Sequence, residues 1–232
     1  MWPTASPSCW GDAMDVSEAV ARRISVRAFT PEPVPKHRVL SLLAKAGQAP
    51  SGGNLQPWRV HALTGPPLEE LKARATANPA GEAPAYQVYP PGLWDPYRRR
   101  RSECGEDLYA TIAIARQDRA GRLRQLAENG RLFGAPVGLF VSLDRRLGPP
   151  QWADLGIFLQ TLMLLAVADG LSTCAQEYWS QYPQTLAELL DLPAEEMVFC
   201  GIALGYAAEH PINGLRTRRE PLAAWAALHG FD

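Results

Sequence analysis

The sequence has little of what marks a disulfide scaffold, a zinc site or a nucleic-acid surface. It holds four cysteines, Cys9, Cys104, Cys174 and Cys200, and no two of them form a CxxC. Thiols this few and dispersed make no disulfide framework, so a reducing, cytoplasmic setting is expected. The four histidines, His37, His61, His210 and His229, show no ligand spacing, and no metal site is expected. A basic excess is absent too. The 23 Lys and Arg against 24 Asp and Glu leave a formal net charge of -1, whereas a general nucleic-acid binder carries a large positive surplus. No strand-like run is followed by GxGxxG, so a Rossmann dinucleotide site has no support. The longest apolar stretch, 155–168, is short for a bilayer and contains Gln160 and Thr161. It reads as a buried core helix, with no membrane contact expected. Residues 1–13 have neither a basic n-region nor an apolar h-region. They read as a flexible leader, with Met14 as an alternative start. No internal repeat or low-complexity tract is present.

What remains is a chain with 47% hydrophobic residues, enough for one packed domain over 14–232. Helices are expected at 16–23, with Asp15 as N-cap, and after Pro35, where Val39, Leu42, Leu43 and Ala46 follow helical spacing. Further helices are expected at 67–76, 106–116, 119–128, 152–169 and 183–190, and a short one at 221–228. Strands are expected at 58–64, 137–143, 172–175 and 197–206. Residues 78–104, rich in proline and aromatics and ending in Arg98-Arg99-Arg100-Arg101, form an irregular excursion. Residues 207–232 form a polar C-terminal arm. Strands separated by helices give a layered α+β or α/β domain.

Four segments carry chemistry. In Arg22-Arg23-Ile24-Ser25-Val26-Arg27, an extended backbone would put Arg23, Ser25 and Arg27 on one face. Such a face suits a phosphate monoester, because guanidinium presents a fixed fork of donors. The same residues also read as an exposed basic segment. Pro50-Ser51-Gly52-Gly53-Asn54-Leu55-Gln56 combines glycines with two amides that can pair with a heterocycle edge, or it is a plain helix–strand connector. Gln176-Glu177-Tyr178-Trp179 offers an aromatic pair to a flat ligand, or core packing beside an exposed carboxylate. Asn213-Gly214-Leu215-Arg216-Thr217-Arg218-Arg219-Glu220-Pro221-Leu222 is a second basic cluster, or a solvated arm.

Taken in order, these segments resemble the nitroreductase family of FMN-dependent oxidoreductases. The likeness covers about residues 16–222: Arg-x-Ser-x-Arg-x-Phe, then Pro-Ser-x-x-Asn-x-Gln-Pro-Trp, then Gly-x-Ala-Leu-Gly-Tyr and Arg-x-x-Arg-x-Pro-Leu. Gly134-Ala135-Pro136-Val137 with Asp154-Leu155-Gly156 resembles the branch that includes nitrobenzoate-reductase-like proteins. The resemblance implies an α+β, three-layer α/β/α fold, with a mostly antiparallel sheet and a C-terminal arm exchanged in a homodimer. FMN would lie at the subunit interface. Arg23, Ile24, Ser25 and Arg27 would hold its ribityl chain and phosphate, with Arg219 and the helper Arg216. Pro50, Ser51, Gly52 and Asn54 would come from the other subunit. Gln176 and Glu177 would reach the flavin N5 edge, though Tyr178 stands where the family often has glycine, and Asn129 would contact the pyrimidine ring. NADH or NADPH would reduce the flavin in a ping-pong cycle, and a nitroarene, quinone or similar small molecule would be reduced in turn. No side chain is implied as catalytic acid or base. Trp94, Tyr97, Tyr178 and Trp179 are expected around the substrate. Rival readings are dehalogenation, flavin destruction or ring oxidation on the same scaffold, a non-catalytic flavin binder, and a basic-patch interaction protein using residues 98–101.

Overall fold

The computed structural model describes residues 14–231; the leader expected at 1–13, with Cys9, lies outside them. Among the described residues are the helices α1 (Val16–Arg22), α2 (Lys36–Ala46), α3 (Pro66–Ala77), α4 (Tyr97–Thr111), α5 (Arg119–Ala127), α6 (Pro149–Ala168) and α7 (Pro183–Leu190). Four strands, β1 (Arg59–Leu63), β2 (Val137–Asp144), β3 (Ser172–Gln176) and β4 (Glu196–Gly205), form one sheet in the order β1-β2-β4-β3. All three pairings are antiparallel. A parallel bridge from Ser25 to Thr173 adds the segment after α1 to the β3 edge.

The inner strands dictate the layering. Seven of the eight β2 residues, Val137 to Leu143, are buried, so both faces of the strand need cover. On one face Leu139, Val141 and Leu143 meet Leu155, Phe158 and Leu162 of α6 and Leu42 of α2. On the other, Phe140, Val198 and Ala203 meet Leu68 and Leu71 of α3 and Leu186 of α7. Each fully buried leucine contributes roughly 2 kcal/mol. The result is the expected three-layer α+β arrangement. Local chemistry sets the helix ends: Asp15 Oδ1 accepts from the Glu18 N–H at 2.8 Å and caps α1. Gly170, at φ +70°, ends α6 as expected.

Three expectations need correction. The excursion stops before Tyr97, because the arginine run lies inside α4, which replaces the helix expected at 106–116. No residue of α4 is buried, so it carries no apolar period to read. Helical spacing instead serves ion pairs such as Arg99 with Glu103. The helix expected at 221–228 is one 3-10 turn, Leu222–Ala224, since Trp225 and Leu228 are exposed and no buried face supports more. Finally, α6 is a 20-residue helix with mean hydropathy 1.4, long and apolar enough to cross a membrane. The apolar stretch expected at 155–168 is the C-terminal part of this longer helix. Its core face, Leu155, Phe158, Leu159, Leu162 and Ala166, packs on the sheet.

The rest of the excursion is tied down. Glu82 accepts from the backbone N–H groups of Gln184 (2.7 Å) and Thr185 (3.1 Å), a carboxylate at the N-terminus of α7. Tyr86 donates to the carbonyl of Phe199, the bulge residue left unpaired where β2 and β4 slip register. Close packing also fixes Gly201 in β4, where an added Cβ would lie 2.3 Å from Trp179 Cδ1. Trp179 is fully buried and stands edge-on to Phe140. Gly201→Ala is expected to lower unfolding free energy by about 1–3 kcal/mol, read from urea denaturation midpoints at unchanged slope. A wild-type midpoint would contradict this packing.

Candidate functional site

Residues 23–29 leave α1 and run extended along the sheet edge. Val26 N–H donates to the Thr173 carbonyl at 3.0 Å, Thr30 N–H to Tyr206 O at 2.9 Å, and Ala208 N–H to Ala28 O at 2.9 Å. Val26 and Phe29 turn inward and are buried. Arg23, Ile24, Ser25 and Arg27 line a cleft of about 490 Å³, and Arg216, Thr217 and Arg219 line it from the arm. The structure thus brings the first and last basic clusters together, although nearly the whole chain separates them in sequence.

Asn213 makes this meeting possible. Its side chain accepts from Arg27 N–H at 2.8 Å and donates to the carbonyls of Ala28 and Ala208, both at 2.9 Å. Sequence reading quoted Asn213 within its motif but gave it no role. It also missed Val20, Ala21, Gln160, Leu215 and Thr217, which line the cleft. Only Gln160 left a signal, as a polar residue interrupting the apolar stretch.

The electrostatics of the cleft are one-sided. Among the described residues, Arg23, Arg27, Arg216 and Arg219 form no ion pair with a carboxylate. Arg27 Nη1 donates to Ser25 O at 3.2 Å, Arg216 to Asn213 O at 3.3 Å, and Arg219 to Thr217 Oγ1 at 2.6 Å. These bonds to neutral acceptors leave four positive charges uncompensated around one opening. Such a donor set fits a phosphate monoester, with guanidinium forks and the Ser25 hydroxyl available to its oxygens.

Other expected site residues lie elsewhere. Gln176 is three residues beyond Thr173, about 10 Å along β3 from the Ser25 bridge. Its Nε2 donates to Asn129 O at 2.9 Å and to Asn129 Oδ1 at 3.1 Å, while its Oε1 is buried without a partner among the described residues. Burial pushes the Glu177 carboxyl above the usual range. Trp179 belongs to the core rather than to an open pocket, and Tyr178 packs beside it, bonded to Tyr182 Oη at 2.8 Å. For these two the packing alternative describes their placement. Trp94 and Tyr97 form an exposed edge-to-face pair, away from the cleft lining.

The Pro50–Asn54 loop does not line the arginine cleft. It sits on α6, where Gly52 N–H donates to Asp154 Oδ1 at 3.2 Å. Gly53 and Asn54 in the loop and Gln56 just beyond it have positive φ (58°, 56° and 47°), so three left-handed residues cluster here. Ser51 Oγ accepts from Gln56 N–H at 2.9 Å and closes it. Asp154 is buried, and its Oδ2 lacks a partner among the described residues. Asp154→Ala is expected to raise amide hydrogen exchange at Gly52 about tenfold, the loss of one bond to a charged acceptor. Exchange at the wild-type rate would show that Asp154 does not hold the loop.

A cation-lined cleft thus stands at the edge of a three-layer α+β sheet, with a donor set that fits a phosphorylated ligand. The chain belongs to the nitroreductase family: the model described as "Nitroreductase family" matches residues 20–206. It is 39% identical over 222 residues to 4-nitrobenzoate reductase from Pseudomonas putida, covering 94% of this chain and 97% of that one. It is similar in structure to the FMN and NADPH-dependent nitroreductase NfnB from Sphigopyxis sp. strain HMH, with TM-score 0.90 and 44% identity over 94% of this chain and 100% of that one. The FMN-dependent nitroreductase NfnB from Mycobacterium smegmatis, solved in complex with NADPH, aligns with TM-score 0.85 and 30% identity over 93% of this chain and 100% of that one.

Proposed function

We propose that this protein is an FMN-dependent oxidoreductase that uses NADPH or NADH to reduce nitroaromatic or quinone-like small molecules. The observation that carries the reading is the meeting of Arg23, Ser25, Arg27, Arg216 and Arg219 around one cleft without a carboxylate among the described residues. A nearly dianionic phosphate needs more than one cation, and this cleft supplies four. Relatives named as nitrobenzoate and nitrobenzene reductases support a nitroarene as acceptor, and structural neighbours named as NADPH-dependent support NADPH as donor.

When bound, FMN supplies hydride exchange between donor and acceptor. The chain holds and orients it. Arg23, Arg27, Arg216 and Arg219 grip the phosphate, and Ser25 and Ile24 border the ribityl chain. Gln176 and Glu177, with Asn129 held against Gln176, stand at the far end of β3 for the ring. Pro50, Ser51, Gly52 and Asn54 serve the flavin of a second copy of the chain. Trp94 and Tyr97, exposed in this chain, are assigned to the substrate side. Water supplies the substrate's protons, so no side chain is given an acid or base role.

The homodimer belongs to the same proposal. Val16, Val20 and Ile157 are exposed apolar residues on the packed helices α1 and α6, and Leu222, Trp225, Leu228 and Phe231 are exposed on the arm. Apolar surface of this kind suits burial by a second copy. Residues 14–232 are read as one such unit, and the free thiols Cys104, Cys174 and Cys200 fit a cytoplasmic setting.

The purified protein is expected to be yellow, to elute at twice the chain's mass, and to oxidise NADPH in the presence of 4-nitrobenzoate. Arg27→Ala with Arg219→Ala should purify colourless. A double variant that keeps a full complement of flavin would contradict the phosphate assignment. Yellow wild-type protein without turnover would favour a non-catalytic flavin binder.

A further inference from the structure

The arginine run at 98–101 lies outside the phosphate cleft, and its charges are engaged. Arg98 pairs with Asp95, Arg99 with Glu103, and Arg101 lies over the Tyr89 ring at 4.3 Å. Two members reach across to the C-terminal arm. Arg99 Nη2 and Arg100 Nε both donate to Glu220 Oε1, at 3.0 and 2.9 Å. A further link runs the other way, from Arg218 Nη2 to both oxygens of Asp107, at 3.1 and 3.0 Å. Apart from Tyr89 and the arm's own groups, all of these lie on α4 or immediately before it.

The arm has little else to place it. The backbone hydrogen bonds of residues 217–231 are internal, at Ala224, Trp225 and Ala226. Among the described residues, the Glu220 and Arg218 ion pairs are the polar contacts that join 217–231 to other elements. Its large apolar side chains are exposed. Arg218 and Glu220 flank Arg219, one of the arm residues that line the phosphate cleft. Anchoring both neighbours fixes the short stretch of backbone from which Arg219 enters. A lone exposed ion pair is weak, but several pairs on adjacent residues act as a network. The helix α4 is itself braced, since Arg122 of α5 binds Glu106 through two bonds at 2.8 and 2.7 Å.

We propose that α4 is an electrostatic latch for cofactor retention: Arg99 and Arg100 on Glu220, with Asp107 on Arg218, hold the arm so that Arg219 faces the phosphate. Glu220 is then a positioning residue that never touches the ligand and acts through Arg219. The proposal rests on the FMN reading above. It gives Arg99 and Arg100 a structural task that a nucleic-acid or partner surface would not require.

The test is titration of FMN fluorescence quenching on the full-length chain, as wild type, Glu220→Gln, Arg219→Ala and the double variant. Glu220→Gln is expected to raise the FMN Kd about tenfold, and to change it by less than about twofold in the Arg219→Ala background, because interacting residues are not additive. Glu220→Arg combined with Arg99→Glu and Arg100→Glu should restore the Kd to within about threefold of wild type by exchanging the charges. An unchanged Kd in Glu220→Gln would overturn the latch, as would an equal loss with and without Arg219. Wild-type protein that binds no FMN would overturn the cofactor reading and the latch with it.

Discussion

Four guanidinium groups share one cleft with no carboxylate among the described residues to balance them. Like charges a few ångströms apart at a protein surface repel by about 1–4 kcal/mol per pair. A fold that gathers Arg23, Arg27, Arg216 and Arg219 must offset that repulsion elsewhere, and an anion at the centre removes it. The supporting bonds are in place. Asn213 ties the arm's root to Arg27 and Ala28, and Val26 is pinned to β3. The surrounding architecture provides the two ends of the chain that this cleft needs side by side.

The sheet and α6 form the scaffold for that meeting. One face of α6 fills the core beneath β2 and β4, and its N-terminal half presents Asp154 to the Pro50–Asn54 loop. Gln160, further along the same helix, borders the arginine cleft. A single helix thus supports both halves of the proposed binding apparatus. The loop does not line the cleft of its own chain. Asp154, buried and only half satisfied, accepts one bond from this loop, beside its left-handed residues.

Much of this was legible in the sequence. The strands and most helices fall within a few residues of their expected places, because inward-facing apolar residues and Pro or Gly punctuation mark them. The extended Arg23-Ile24-Ser25-Val26-Arg27 segment also places its polar residues on the cleft, as alternation predicts. What failed has physical causes. The surface helix α4 is held by ion pairs and buries nothing, so it shows no apolar period. Trp179 looks like a pocket residue by its neighbours, yet Gly201 opposite it makes room for a core indole, a pairing across sequence that no local pattern reveals. Asp154 and Asn213 act by bonding backbone far away in the chain, and their spacing carries no trace of it.

The central claim is that the cleft recognises a phosphate, and the most direct measurement compares FMN with riboflavin, which lacks it. Equilibrium titration of the apoprotein should give FMN a Kd at least about 100-fold lower, the size expected from two charge-assisted contacts of about 1.5 kcal/mol each. Equal affinity for the two flavins would contradict the account.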